Sequence, residues 1–181
     1  MSFSWRNFWH VLAAAVAAFL ASCGDGPASN VSYKLGPQVW DFFVFAAKDG
    51  PVFVVVDGNP FRLDEEALAE SVAASMGTAF SEPFIKFTSD KARAGHPEYR
   101  MIWTLSPAPG YDMNTVCGDT RPAVAPMTGR RLEMRVAFCQ SGRLLSAVHG
   151  WMPAANSGPD NEDWRNLIAQ MARQLVSTEG T

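Results

Sequence analysis

The sequence predicts an α+β domain: a mostly antiparallel sheet of about four to five strands with two helices packed on one face. Two segments carry helix-type apolar spacing behind an acidic start, and the segments between them alternate apolar and polar residues as strands do. The chain has 181 residues and is 48% hydrophobic, which is enough apolar material for one domain with its own core. No internal repeat is visible.

The first half of the predicted domain contains one ambiguous segment and two clear ones. Residues 39–47 are apolar nearly throughout, so periodicity does not separate a buried strand from a short helix, and we favour a strand. Residues 52–56 are rich in β-branched side chains and predict a buried strand that ends in the turn residues 57–60. Asp64 is a good N-cap for an amphipathic helix that stops near Gly77.

The second half contains a strand, a long loop, a hairpin and a helix. Residues 99–105 alternate as a strand with one apolar face, and the loop 106–130 follows with four prolines and three glycines. Loops of this length usually carry function or are disordered. At the end of the chain, residues 159–163 form an acidic helix start. A helical apolar stripe follows it, formed by Trp164, Leu167, Ile168, Met171 and Leu175.

The hairpin is predicted from the alternation on both sides of Ser141 and Gly142, which we interpret as a two-residue turn. That turn would place apolar residues opposite one another on one face: Phe138 with Leu145, Val136 with Ala147, Met134 with His149, and Leu132 with Trp151. The same register would put Glu133 and Arg135 on the face opposite to His149. Cys139 would point away from the core.

The N-terminal residues have the pattern of an export signal. One basic side chain, Arg6, precedes an apolar run over 11–21 that ends in small residues. A membrane-spanning helix needs about 20 apolar residues, so a permanent span is the weaker interpretation. The four residues Leu20-Ala21-Ser22-Cys23 directly after this run resemble the lipobox of bacterial lipoproteins. The resemblance implies that Cys23 is joined to diacylglycerol, becomes the new N-terminus and is acylated again.

This resemblance sets the expected organisation and location of the chain. Residues 1–22 would be a lipoprotein signal peptide, 23–36 a lipidated N-terminus with a flexible tether, and 37–178 a single globular domain. Three acyl chains anchor a protein firmly to a membrane. We therefore expect a lipid-anchored protein of the bacterial cell envelope with its domain in the periplasm, and the choice between inner and outer membrane stays open.

Two cysteines remain once Cys23 is assigned to lipid. An even pair in an exported chain is most simply a disulfide, so we predict a bond between Cys117 and Cys139 that fastens the long loop to the outer face of a strand. Closing such a loop contributes about 3 kcal/mol in the chain-entropy model. There is no Cys-x-x-Cys and no histidine at ligand spacing, so we predict neither a metal nor another cofactor.

The charge and the motifs exclude several classes of function. The net charge of −3 leaves no basic excess for phosphates, which argues against a nucleic-acid binder. Glycine-rich phosphate loops and the common hydrolase motifs are absent from the sequence. His149 and Asp57 are candidates for a polar site, but a core histidine and a turn residue explain them more simply. We therefore assign no catalytic residue and predict that the protein is not an enzyme.

The favoured hypothesis is a non-enzymatic binding or assembly module held to the membrane by lipid. Its contact surface with another envelope protein would be the loop 106–130, with the basic residues Arg121, Arg130 and Arg131. The first alternative is a periplasmic small-ligand binder or enzyme that uses His149 and Asp57. The second is a secreted soluble domain without lipid.

Overall fold

A computed structural model of the chain describes residues 26–178. The predicted signal peptide and Cys23 therefore lie outside the described residues. The helices and strands, in chain order, are β1 Ala28–Lys34, α1 Val39–Lys48, β2 Val52–Asp57, α2 Glu65–Gly77, β3 Phe87–Thr88, β4 Tyr99–Leu105, β5 Arg131–Gln140, β6 Arg143–Pro153 and α3 Glu162–Val176. In this part of the chain no helix combines the length and apolarity needed to cross a membrane.

The six strands form one sheet in the order β1-β6-β5-β4-β2-β3. The pairs β1–β6, β6–β5 and β5–β4 are antiparallel, whereas β4–β2 and β2–β3 are parallel. After β2 the chain passes through α2 before it returns to the sheet, and such a helical crossover returns a strand in the parallel direction. The predicted α+β class is confirmed, but the sheet is mixed rather than mostly antiparallel and has six strands.

The predicted strand over 39–47 is wrong, because these residues form α1. The buried side chains Val39, Phe43, Ala46 and Ala47 recur at helical spacing and face the core. Phe45 lies on the exposed side of the helix between Asp41 and Lys48 and is 40% exposed, so an apolar residue interrupts the polar face that would reveal a helix. The domain consequently has three helices rather than two.

The tether predicted over 23–36 is also wrong for part of its length, because it contains β1. This edge strand pairs with β6, with Val31 opposite Val148, and its polar side chains bind α3 and the residue after it. Ser29 Oγ donates to Gln174 Oε1 at 2.7 Å, and Lys34 Nζ donates to the Ser177 carbonyl at 2.8 Å. An edge strand with one face in solvent needs few apolar residues, so its composition resembles that of a linker.

The three helices cover one face of the sheet, here called the inner face. The apolar side chains of β4, β5 and β6 on this face pack with all three helices in one core. Trp103 of β4 and Trp164 of α3 are fully buried there. Trp103 Nε1 donates to Met76 Sδ of α2 at 3.2 Å, which gives the buried indole a partner. Packing of helices on one face is therefore confirmed.

The hairpin turn is where the sequence predicts it, but the register beyond it is different. Gln140 pairs with Arg143 and Cys139 with Leu144, after which the register shifts. From this β-bulge onward every predicted pair is displaced by one residue: Phe138 faces Ser146, Val136 faces Val148, Met134 faces Gly150 and Leu132 faces Met152. The predicted register is wrong, and His149 shares a face with Glu133 and Arg135 instead of opposing them.

The displaced register places small residues of β6 against helix α3. The Met171 side chain of this helix lies directly over Gly150, so a larger residue at that position would displace it. Ser146 is buried on the same face, and its Oγ donates to the Leu175 carbonyl at 2.6 Å. Small residues therefore occupy inner-face positions of β6, whereas a prediction from alternating hydrophobicity assigns the larger residues to that face.

Candidate functional site

The face of the sheet opposite to the helices, here called the outer face, is covered by the loop 106–130. The predicted disulfide is confirmed: Cys117 and Cys139 are bonded, with their Cα atoms 5.6 Å apart. Both cysteines lie in a small second core with Ile102, Val116 and Ala137. Because the bond fastens the loop to β5, residues 106–130 are called the pinned loop below.

The base of the pinned loop is closed by backbone hydrogen bonds. Ala108 N donates to the Ala123 carbonyl at 3.0 Å, and Ala125 N donates to the Ser106 carbonyl at 2.9 Å. Arg100 of β4 donates to the Cys117 carbonyl at 2.7 Å. The loop is thus held at its base and at its centre. A loop that is already ordered in this way loses less conformational entropy when it binds a partner.

One polar row crosses the outer face from strand to strand. Asp57 of β2 pairs with Thr104 of β4, Thr104 with Arg135 of β5, Arg135 with His149 of β6, and His149 with Asn30 of β1. Neighbouring strands are about 4.8 Å apart, so the backbones of Asp57 and His149 are separated by about 14 Å. The two candidate residues share a face, but the structure does not bring them together.

Asp57 lies at the β2 end of the row, in a cleft of about 370 Å³ between the pinned loop and the start of α2. Its side chain is 5% exposed, and the exposed Arg121 guanidinium reaches to 3.7 Å from it. Burial raises the pKa of Asp57, and Arg121 opposes this shift. Gly58 follows with φ +89°, and a Cβ there would lie 2.2 Å from the Leu105 carbonyl oxygen, so the predicted turn requires glycine.

His149 lies three strands away, in a half-buried position beside acid and aromatic groups. Its Nε2 is 3.7 Å from Glu133 Oε2, and its ring centroid is 5.4 Å from that of Trp151. Burial lowers the pKa of His149, Arg135 lowers it further, and Glu133 opposes both effects. His149 is therefore largely a neutral imidazole at neutral pH.

We expect the His149→Gln variant to lose less stability than the wild type between pH 7 and pH 5. The pKa of His149 is below its ordinary value of 6.5 in the folded chain, so the unfolded chain takes up a proton that the folded chain does not. This contribution to stability is complete above pH 6.5 and is lost as the pH falls through the lowered pKa. Urea denaturation at pH steps measures the difference, and parallel pH profiles for the two proteins would contradict it.

Arg135 occupies the middle of the row, and the sequence gives no signal that marks it as a site residue. Its guanidinium carbon is 5.4 Å from the centre of the Tyr111 ring, which the pinned loop supplies. Its Nε is buried and has no hydrogen-bond partner among residues 26–178. A second cleft, of about 380 Å³, opens beside it. The predicted hairpin register placed Arg135 away from His149, and no motif marked Tyr111.

The predicted basic group of the loop is divided between two places. Arg121 stands beside Asp57 with 82% of its side chain exposed. Arg130 and Arg131 lie near β6, where the Arg130 carbonyl accepts from Ala154 N at 2.8 Å and the Arg131 guanidinium lies 5.8 Å from the Trp151 ring. Within residues 26–178, no three His, Cys, Asp or Glu side chains gather in a way that could hold a metal ion.

The fold and the site together define an α+β domain with a disulfide-pinned loop over a polar sheet face. No family model matches the chain, and no curated protein matches it. Among solved structures, it is similar to the PelC dodecamer from Paraburkholderia phytofirmans, with 10% identity, a TM-score of 0.48, and coverage of 84% of this chain and 99% of that one. A single-substitution form of the same dodecamer gives 10% identity, a TM-score of 0.45, and coverage of 84% and 98%. Neither similarity assigns a function to this chain.

Proposed function

We propose that this chain is a lipid-anchored protein of the bacterial cell envelope whose periplasmic domain binds or positions another envelope component. The observation that carries the proposal is the disulfide between Cys117 and Cys139. Disulfides persist in exported proteins and are rare in the cytosol, so the bond supports export. The lipobox resemblance at Cys23 supports the anchor, since an acylated cysteine at the start of the mature chain would hold the domain at a membrane.

The pinned loop is the contact surface of this proposal. Loops held by a rigid scaffold are common places for binding residues, and a loop held in place beforehand loses less entropy on binding. Arg121 and Val124 of the loop present exposed side chains, with Val124 45% exposed. The clefts beside Asp57 and Arg135 lie on either side of the loop, so a partner that covers the loop would also cover their openings.

A non-enzymatic role fits the spacing of the polar row better than an acid–base mechanism does. A general base and the group that orients it must lie within hydrogen-bond reach of each other or of a shared substrate. Asp57 and His149 are about 14 Å apart along the row, with Thr104 and Arg135 between them. The alternative that combines these two residues in one pocket is therefore not proposed.

Replacing the cysteine of the lipobox tests the anchor. In cells of the source bacterium, we expect the wild-type chain in the membrane fraction, and the Cys23→Ala chain in the soluble fraction or as an unprocessed precursor, because no diacylglycerol can be attached. Cell fractionation measures the location, and intact mass measures the added acyl groups. The Cys117→Ala/Cys139→Ala variant is the matched control and should stay in the membrane fraction.

The same cells test the contact surface. A photo-crosslinking side chain at Val124 should give a discrete adduct with an envelope protein, whereas one at Arg143, on the hairpin tip, should not. The anchor proposal fails if wild type and Cys23→Ala fractionate alike with unmodified mass. A soluble wild-type chain would favour the secreted domain without lipid. Equal adducts at Val124 and Arg143 would argue against the pinned loop as the contact surface.

A further inference from the structure

We propose that the cleft beside Arg135 binds a small oxyanion, a carboxylate or phosphate group carried by a compact ligand. The cleft lies between strand β5 and two segments of the pinned loop, 106–111 and 125–128. Its volume of about 380 Å³ is in the range of small-molecule sites. The proposal goes beyond the partner contact proposed above and does not depend on the lipid anchor.

The charge of Arg135 is the first argument for an anion. Among residues 26–178, no carboxylate forms an ion pair with Arg135, and its buried Nε lacks a hydrogen-bond acceptor. The contact with the Tyr111 ring orients the guanidinium but brings no negative charge. Arg135 is half-buried, and its Nε is withheld from water without an acceptor, which a bound oxyanion would supply. The planar guanidinium fork matches a carboxylate or phosphate with two parallel hydrogen bonds.

The nearest acids do not form an ion pair with Arg135. Glu133 lies two residues before Arg135 on the same face of β5, but its carboxylate is 3.7 Å from His149 Nε2 and its side chain is 52% exposed. Asp57 is two strands away in the row, and its carboxylate is 3.7 Å from Arg121. Arg135 therefore has no carboxylate within ion-pair distance, and it shares the cleft with a second arginine, Arg131.

The walls of the cleft restrict the rest of the ligand. Pro107, Pro109 and Pro126 line the cleft together with the ring of Tyr111, and these residues have little conformational freedom. Two arginines, Arg131 and Arg135, and one carboxylate, Glu133, line the cleft, so its lining suits a ligand that carries one anionic group. A long polyanion would need several cations in a line, and Glu133 also lines this cleft. The residues that line the cleft therefore favour a small acid over a polyanion as the ligand.

The test measures binding of two probes to the purified full chain at constant ionic strength. Inorganic phosphate and glucuronate supply the two oxyanions, and isothermal titration measures their affinity. We expect saturable binding of at least one probe, and the stronger of the two identifies phosphate or carboxylate as the recognised group. Arg135→Gln should weaken it tenfold or more, since a hydrogen-bonded charge pair is lost. Arg143→Gln, an arginine at the hairpin tip, is the control and should bind as the wild type does.

Two further variants keep the test decisive if Arg135→Gln does not fold. Arg135→Lys keeps the charge but loses the planar fork, so it should bind more weakly than the wild type. Glu133→Gln removes the competing carboxylate and should bind several-fold more tightly. The proposal is overturned if neither probe binds saturably to the wild type, or if the affinity does not change in Arg135→Lys and Glu133→Gln. Neither result would bear on the membrane anchor, which the Cys23→Ala fractionation tests separately.

Discussion

Replacing Trp103 with alanine is expected to lower the free energy of unfolding by about 3–5 kcal/mol. Trp103 is fully buried at the centre of the sheet, where β4 lies between β5 and β2. Its backbone pairs with Val136 on one side and Val56 on the other, so the strands cannot close over the space that the indole leaves. The variant also removes the partner of Met76 Sδ in α2. Urea denaturation followed by circular dichroism measures the loss.

A second tryptophan gives the matched control for this prediction. Trp151 lies on the outer face of β6 and is only half-buried, with its ring beside His149 and Arg131. Trp151→Ala removes the same side chain from a place that water already reaches, so its cost should be well under half that of Trp103→Ala. An equal loss of unfolding free energy in the two variants would mean that Trp103 is not packed in the core as the structure shows.

The second large effect is expected from the disulfide. The double variant Cys117→Ala/Cys139→Ala should be less stable than the oxidised wild type by about 3 kcal/mol, because the bond limits the unfolded chain. The bonded cysteines are 22 positions apart and both are buried, so alanine leaves no unpaired polar group in the small second core. Chemical denaturation with and without a reductant measures the difference.

Reducing the wild type separates the effect of the disulfide on stability from the effect of replacing the two cysteine side chains. The fully reduced wild type should unfold close to the double variant, and the reductant should leave the double variant unchanged. In hydrogen exchange, the amides of the pinned loop should lose protection first, since apart from the bonds at its base the loop retains only short-range backbone hydrogen bonds. A wild type that keeps its stability after complete reduction would show that the bond adds nothing to the fold.

The elements that the sequence predicts correctly are those with a strong local signal. Strands β2 and β4 and the helices α2 and α3 carry clear periodicity and caps: the Asp64 side chain accepts from Ala67 N, and the Asn161 side chain accepts from Asp163 N. The disulfide is predictable from the parity of the cysteines that remain once Cys23 is assigned to a lipobox. Two elements lack such signals, because the exposed side of α1 carries the apolar Phe45 between Asp41 and Lys48, and β1 is a polar edge strand.

The site is predicted less well than the fold, and the β-bulge in the hairpin is the reason. Local alternation in β5 and β6 indicates a regular register, but the close approach of α3 to Gly150 is a tertiary contact that no local pattern contains. Once the register shifts by one, His149 changes faces and joins Glu133 and Arg135. Asp57 and His149 are therefore found from the sequence, whereas their arrangement and the central role of Arg135 are not.

Strand β1 has a consequence for how far the domain can move from a membrane. It begins at Ala28, five residues after Cys23, and is hydrogen-bonded to β6 along its length. An extended chain spans at most about 3.6 Å per residue, so five residues reach about 18 Å. If Cys23 carries a lipid, as proposed, these five residues are a short tether. They would keep the β1 edge of the sheet close to the bilayer. A partner of the pinned loop would then bind within about one domain diameter of the bilayer surface.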